Sequence, residues 1–555
     1  MSTSNLQRAH AVVHFLLKNG VSEVVMCAGA RNAPLVELLN TALDDLPSQD
    51  LRCWSFFEER SAGFFALGRS VRREKPIAVL TTSGTAVANL LPACIEAYYQ
   101  GRPLVLITAD RPARFRGSGS PQSIDQRGVF GPHTEAALDL EDNLEALLTL
   151  SWSRLKPLHL NICFEEPQSQ KSSPTEVEVV MQELRKVVGP QDHPRRTLPA
   201  AQISVLEKAS HPLIIVGPVR SEERPMVLQW LAALPGPIYA EALSGLTGEP
   251  VLQDRLLFSE DVAAAALHGL WNKLSFCDSV IRLGSVPTCR LWRDLEGAKA
   301  HVPVVNILSE HTSWTGLARQ EQVYNVGLDS LKPVPLPTIF DPRAMALLEL
   351  SKNVSTEFHK LVADFPRSEM SMVQSLSMKA VDVRHPQRIY LGNSLAVREW
   401  DAVSAGRTYV DVFGHRGVNG IDGQVSSFLA WSTGVHDAHG SLAVLGDLTA
   451  LYDLAGLALT PQLGSGRRTI AVINNGGGMI FQKIFSREIF LNRHDTSFAP
   501  WAEMFQWSYL KAQKLDEIRV ASLGENLLLE LKPDPNETTA FQKRWSELWQ
   551  RQVGL

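Results

Sequence analysis

The 555-residue chain has little of what would mark a specialised protein class. It has only six cysteines: Cys27, Cys53, Cys94, Cys163, Cys277 and Cys289. None forms a C-x-x-C pair and no His/Cys cluster has zinc spacing. That excludes a disulfide scaffold and a zinc module, and leaves reduced core thiols. Positive charge is not in excess: 54 Lys and Arg stand against 59 Asp and Glu, for a net charge of −5. No global basic field exists to bind nucleic acid, although a local anion site stays possible. No apolar run approaches the ~20 residues of a membrane span. The polar start MSTSNLQRAHAVVHFLLKNG also lacks the cleavage site of a secretory leader. The expectation is a soluble cytoplasmic protein. Low-complexity tracts and short repeats are absent, and no G-x-G-x-x-G fingerprint follows a strand, which argues against a Rossmann oxidoreductase. What remains is ordinary globular composition, 45% hydrophobic and 20% charged with 37 Gly and 32 Pro, in a length of about three or four domains.

Short apolar, β-branched runs recur, each ending in Gly, Asp or Asn ahead of helix-compatible sequence. Strands are predicted over 24–29, 77–84, 103–110, 157–164, 212–217, 279–285, 302–308, 408–414, 441–447 and 469–475. Near-continuous apolar strands alternating with helices indicate α/β architecture, with parallel sheets covered by helices on both faces. Ligands of such sheets bind beyond the carboxyl ends of the strands. Two stretches rich in Pro, Ser or charge, 165–199 and 332–345, read as linkers and divide the chain into blocks of about 1–185, 190–340 and 360–555.

The carboxyl ends carry the chemistry. SLAVLGDLTALYDLAGLAL (441–459) reads as strand, tight turn at Gly446-Asp447, then helix. TIAVINNGGGMIF (469–481) reads as the next strand, closing on Asn474-Asn475 and three glycines. Asp, Asn and a backbone carbonyl are hard oxygen ligands suited to Mg²⁺. A helix start after Asp447 would present free N–H groups to a phosphate. Together they suggest a metal–diphosphate site; the alternative is a pair of Asx turns at strand ends.

Gly-Asp followed some 25–30 residues later by Asn-Asn resembles the diphosphate–metal motif of thiamine-diphosphate enzymes. Within that superfamily the chain is similar to the 2-succinyl-5-enolpyruvyl-6-hydroxy-3-cyclohexene-1-carboxylate synthase family of menaquinone biosynthesis. The matching segments run through the whole chain: GARNAPL (29–35), FFEERSAGFFALG (56–68), TTSGTAVANLLPA (81–93), TADRP (108–112), PQSIDQRGVFG (121–131), GNSLAVR (392–398), HRGVNGIDG (415–423), GDLTALYDLAGLAL (446–459) and NNGGGMIF (474–481). The resemblance implies a three-domain thiamine-diphosphate-binding fold. Block 1–185 would bind the pyrimidine, 360–555 the diphosphate, and 190–340 no cofactor. It also implies a homodimer or dimer of dimers with active sites at the subunit interface. The reaction implied is a transferase reaction: decarboxylation of 2-oxoglutarate and 1,4-addition of the succinyl unit to isochorismate.

The resemblance also implies roles for residues. Glu59 matches the superfamily's essential glutamate, whose carboxylate meets the cofactor's aminopyrimidine ring; Glu58 is its structural neighbour. Asp447, the Asn475 side chain and the Gly477 carbonyl would hold Mg²⁺ or Mn²⁺, with Gly446, Leu448 and Thr449 near the diphosphate. Ile421 stands where a bulky residue wedges the cofactor, or is simply core. Two dianionic substrates call for arginines, and Arg31, Arg111, Arg290, Arg398 and Arg416 are the candidates. Ser394 and Gln122 would add hydrogen bonds and Phe481 an apolar wall. No catalytic histidine is expected; His415 alone lies in a matching motif.

The chain departs from the family pattern in places. Ala30 replaces a common Ser before the motif arginine, Asn32 stands where Ser is common, and His415 replaces Asn. The Gln482–Phe485 segment differs from the usual Leu-Pro. Two rival readings are another 2-oxo acid decarboxylase or carboligase of the acetohydroxyacid synthase type, and a non-catalytic cofactor-binding regulator, which would have no need of Glu59.

Overall fold

The computed structural model describes residues 4–45, 51–166, 173–188, 209, 211–269, 277–309, 311, 314–329, 342–380, 388–434, 440–482, 484–485, 487–513 and 525–553. Three sheets account for all seventeen described strands, and every pairing within them is parallel. The first contains β1 (Glu23–Cys27), β2 (Arg52–Phe56), β3 (Ile77–Thr81), β4 (Leu104–Asp110), β5 (Ala136–Leu140) and β6 (Leu158–Cys163). The second contains β7 (Pro212–Val216), β8 (Ile238–Ala240), β9 (Ser279–Leu283), β10 (Val304–Leu308) and β11 (Val323–Gly327). The third contains β12 (Arg388–Leu391), β13 (Asp411–Phe413), β14 (Ser441–Gly446), β15 (Arg468–Ile473), β16 (Ser508–Ala512) and β17 (Asn526–Leu531). The α/β class expected from the sequence is what the chain adopts.

The strand orders are β2-β1-β3-β4-β6-β5, β11-β10-β9-β7-β8 and β13-β12-β14-β15-β17-β16. Numbered within each sheet, the first and third are the same, 2-1-3-4-6-5, and the second is 2-1-3-4-5. In each the order reverses between the sheet's first and third strands. That reversal opens a crevice at the carboxyl ends where a ligand fits. It falls at β1/β3 in the first sheet and β12/β14 in the third.

All ten predicted strands are present, with ends shifted by up to three residues. Seven more, β2, β5, β8, β11, β12, β16 and β17, were not anticipated. β2, β5, β11 and β16 are edge strands with half-exposed patterns, so they lack the continuous apolar run of a covered parallel strand. β17 (NLLLEL) is buried but carries no β-branched residue. The stretch 165–199 is not wholly a linker, because Pro174–Leu184 is a helix. Its start is set by Ser173, whose hydroxyl accepts from Glu176 N while Glu176 accepts from Ser173 N, with Pro174 ahead. Residues 167–172 and 189–199 of that stretch lie outside the described residues. So does 332–341 of the second one, and 342–345 opens the helix Pro342–Asp364.

The described chain forms two compact units. One is Met1–Pro194 with Gly417–Val435 and Tyr452–Gly464; the other is Arg195–Arg416 with His436–Leu451 and Ser465–Leu555. In the first unit, alternate residues of the strands (Val24 and Met26, Ala78 and Leu80, Leu158, Leu160 and Ile162) meet Val12 and Leu16 of the helix Asn5–Lys18 in one core. On the other face the helix Glu59–Arg73 lies against Gln424–Trp431. The approach is close enough that a Cβ on Gly68 would come within 2.5 Å of Ser427 O. Arg69 ties the pair by donating to Ala430 O and Thr433 O at 3.0 and 2.7 Å. In the second unit separate clusters cover the two faces of the second sheet, and another includes strands of the third. All six cysteines are free. Among the described residues no helix is long and apolar enough to cross a membrane.

Candidate functional site

In the second unit β14 ends at Gly446 and delivers Asp447 to the start of the short helix Asp447–Tyr452. β15 lies alongside with Gly446 opposite Ile473, so the Asn474-Asn475-Gly476-Gly477 turn rises next to Asp447. Asp447 is 2% exposed. Its Oδ2 accepts from Gly476 N at 2.8 Å and Gly477 N at 2.9 Å, and its Oδ1 from Leu448 N at 2.7 Å. The carboxylate therefore takes the first helical N–H itself, and the helix is a turn and a half long. Gly477 is required here: its φ is 142°, and a Cβ would come within 2.4 Å of Leu491 O.

The two asparagines divide their work. Asn474 is locked into the fold, donating to Thr496 O (2.8 Å) and Glu530 Oε1 (2.9 Å) and accepting from Lys532 Nζ (3.2 Å). Asn475 donates to Glu369 Oε1 at 2.7 Å, and its Oδ1 is buried with no hydrogen-bond partner. A buried, partnerless amide oxygen calls for an explanation such as an ion. With the Asp447 carboxylate and the Gly477 carbonyl it makes a hard-oxygen donor set that fits Mg²⁺ or Mn²⁺. Thr449 is buried beside Asp447, and Leu448 is partly buried.

Three neighbours of this turn were not legible in the sequence. His494 Nε2 lies 3.2 Å from Asp447 Oδ2, while His494 Nδ1 accepts from Thr496 N at 3.2 Å. An accepting Nδ1 places the proton on Nε2, which is buried and makes no hydrogen bond of good geometry with the nearby carboxylate. No motif surrounds His494, so its place beside Asp447 comes from the fold alone. Glu369, at the start of the helix Glu369–Ala380, and Glu399, in Leu395–Val403, form a buried carboxyl pair behind Asn475. Desolvation pushes Glu369 up to about 7 and Glu399 well above the usual carboxylate range.

Of the candidate arginines of this unit, Arg398 and Arg290 lie in short helices and Arg416 on a loop, with further buried acids nearby. Ser394 (φ 70°) starts the helix Leu395–Val403, and Arg398 Nη1 donates back to Ser394 O at 2.5 Å with its side chain exposed. Arg416 Nη1 donates to Asn393 Oδ1 at 2.6 Å and is attracted by Glu241 and Asp401. Arg290 is exposed at the start of Arg290–Asp294. Glu260 accepts from Leu291 N at 3.1 Å there, and Glu241 from Cys289 N at 3.0 Å. Burial pushes Glu241 up to about 7 and Asp401 well above the normal range, so these acids oppose an anion less than their number suggests. Phe481 is 41% exposed and tilts against Phe485.

In the first unit Glu58 and Glu59 part company at the start of Glu59–Arg73. Glu58 is the cap, accepting from Arg60 N and Ser61 N at 3.0 Å each. Glu59 is partly buried, with Asn89 Nδ2 at 3.4 Å from Oε2. Its charge, after desolvation, helps raise the Cys27 thiol at the end of β1. The β1 and β3 turns touch: a Cβ on Gly29 would come within 2.8 Å of Thr82. Gln122, held at φ 55°, caps the second turn by accepting from Ser83 Oγ at its carbonyl (2.8 Å) and donating to Ser83 O (3.2 Å). Arg31 is buried, donating to Phe164 O (3.1 Å) and Glu166 Oε2 (3.0 Å). Arg111 Nη1 lies 4.0 Å from the same Glu166 oxygen. The amide of Asn32 closes its own turn, accepting from Gly29 N (2.8 Å) and donating to Cys27 O (2.9 Å). It is therefore committed to the fold. Ile421 is partly buried, on a loop whose Gly417 and Val418 amides donate to Glu96 at 2.7 and 2.8 Å.

Outside these sites, Asp110, Asp139 and Cys163 could group around an ion. Arg116 already spans them at 3.2, 2.7 and 3.3 Å.

Residues 7–129 match the family model described as "Thiamine pyrophosphate enzyme, N-terminal TPP binding domain". Three relatives each carry the name 2-succinyl-5-enolpyruvyl-6-hydroxy-3-cyclohexene-1-carboxylate synthase. The chain is 39% identical to that of Bdellovibrio bacteriovorus over 98% of its length and 99% of the relative's. It is 36% identical to that of Akkermansia muciniphila, covering 95% and 96%, and 33% identical to that of Chloroflexus aurantiacus, covering 90% and 88%.

Proposed function

The chain belongs to the 2-succinyl-5-enolpyruvyl-6-hydroxy-3-cyclohexene-1-carboxylate synthase family, and from that membership we propose how its residues share the reaction. The enzyme is a thiamine-diphosphate-dependent transferase of menaquinone biosynthesis. It decarboxylates 2-oxoglutarate and joins the succinyl unit to isochorismate by 1,4-addition. When bound, thiamine diphosphate supplies the nucleophilic carbon and the electron sink. Asp447, Asn475 Oδ1 and the Gly477 carbonyl hold Mg²⁺ or Mn²⁺, and Gly446, Leu448 and Thr449 line the diphosphate. Glu59 holds a proton against a ring nitrogen of the aminopyrimidine, and Ile421 packs against the cofactor.

Arg31, Arg111, Arg290, Arg398 and Arg416 bind substrate carboxylates, where the planar guanidinium fork gives paired hydrogen bonds. Gln122 and Ser394 orient the substrates, and Phe481 walls the pocket from water. We assign the pyrimidine end to 1–185, the diphosphate end to 360–555 and a cofactor-free role to 190–340. The working form is a cytoplasmic homodimer or dimer of dimers with active sites at the subunit interface.

The observation that carries the site assignment is the partnerless Asn475 Oδ1, within a turn whose amides grip Asp447. The test is Asp447→Ala and Asn475→Ala, followed by Mg²⁺-dependent turnover. Loss of turnover in folded variants is expected; wild-type metal dependence in either would refute the assignment.

A further inference from the structure

Asn475 uses one end of its amide within the protein, donating from Nδ2 to Glu369 Oε1 at 2.7 Å and leaving Oδ1 without a partner. An amide can turn over, and only its hydrogen-bond partners decide which end faces which way. Glu369 is built to decide it. Glu369 is 4% exposed, its backbone N donates to Thr538 Oγ1 at 3.0 Å, and its carboxyl is buried beside that of Glu399. Such rigid outer partners set the orientation of the ligands in front of them.

We propose that Glu369 is a positioning residue for the divalent-cation site, holding the Asn475 amide so that Oδ1 is free for the cation. The inference rests on the reading of Asn475 as a ligand. Glu369 and Glu399 also line a cavity of about 280 Å³ with Tyr239, Phe258, Arg398 and Trp545, so an apolar side chain of similar size fits at position 369.

The experiment is a Mn²⁺ titration of the full chain with thiamine diphosphate present, following free Mn²⁺ by electron paramagnetic resonance. This reads affinity without turnover. Glu369→Leu should raise the Mn²⁺ Kd about 10–100-fold. Glu369→Gln, whose Oε1 still accepts from Asn475, should stay within about threefold. Asn475→Leu should weaken binding at least as much as Glu369→Leu. An unchanged Kd in Glu369→Leu beside a loss in Asn475→Leu overturns the inference and leaves the ligand reading standing. Equal losses in Glu369→Gln and Glu369→Leu overturn it as well, because packing rather than the acceptor would then be responsible. An unchanged Kd in Asn475→Leu overturns the ligand reading, and the inference falls with it. Should circular dichroism find Glu369→Leu unfolded, Glu369→Ala carries the same expectation and the same refutation.

Discussion

Glu96 is a lone acid on the apolar helix Leu91–Tyr99, and replacing it with glutamine tests how the Ile421 loop is held. Its carboxylate is 3% exposed and accepts from Gly417 N at 2.7 Å and Val418 N at 2.8 Å. Buried hydrogen bonds to a charged group contribute about 1.5–3 kcal/mol each, and a stranded N–H costs about 1–3 kcal/mol. Glutamine keeps one acceptor oxygen but turns an NH₂ toward the other amide, so the expected loss is roughly 2–4 kcal/mol. For a unit of roughly 200 residues each kcal/mol lowers Tm by about 2–4 °C. Calorimetry should therefore find the first unit melting about 4–16 °C lower. Gln100→Ala removes the contact from Gln100 Nε2 to Glu96 but keeps both loop amides on the Glu96 carboxylate, and should move the transition far less. Since Ile421 lies on the tethered loop, Glu96→Gln should also weaken thiamine diphosphate binding. A variant melting within a degree of wild type would refute the tether.

Other expectations follow from the same contacts. Glu59→Gln should keep the fold and hold cofactor affinity within about tenfold (~1.4 kcal/mol) while losing nearly all turnover; near-wild-type turnover counts against the proton role. Burial raises Glu241 from 4.5 to about 7, so the folded state binds more protons than the unfolded state between those values, and its stability falls as pH rises through that window. Glu241→Gln should therefore gain stability relative to wild type as pH rises from about 4.5 to 7, by on the order of 1–3 kcal/mol; a pH-independent difference in urea melts would contradict this. Glu166 is an exposed partner of Arg31, a contact contributing about 0–1 kcal/mol, and under the proposed role of Arg31 it would compete with a substrate carboxylate. Glu166→Gln should lower the substrate KM by up to about fivefold, and a raised KM would show that the pair supports the site instead.

Much of the fold was legible because a covered parallel strand is written as a local apolar run, as in IAVLT and LVLITAD. Edge strands such as RCWSF and SYLKA carry no such run, since half of each faces solvent. The candidate site was legible where chemistry clusters in sequence: Gly446-Asp447 and Asn474-Asn475 each end a recognisable strand. It was illegible where the fold brings single residues from afar. Glu369 lies 106 residues from Asn475 along the chain. His494 lies beyond a loop without a motif, and Glu241 is one acid in a long middle block. Their roles come from burial and from which amide they face, which is tertiary information. Glu96 is different: an acid in LPACIEAYY was already out of place on an apolar helix, and that was the one available signal.

The central claim is tested most directly by CO₂ release from 2-oxoglutarate in the presence of thiamine diphosphate and Mg²⁺, measured with and without isochorismate. The account predicts release that depends on all four components, with a succinyl adduct of isochorismate formed in step with the CO₂. Rapid CO₂ release from pyruvate, or release from 2-oxoglutarate without an adduct when isochorismate is present, would contradict it.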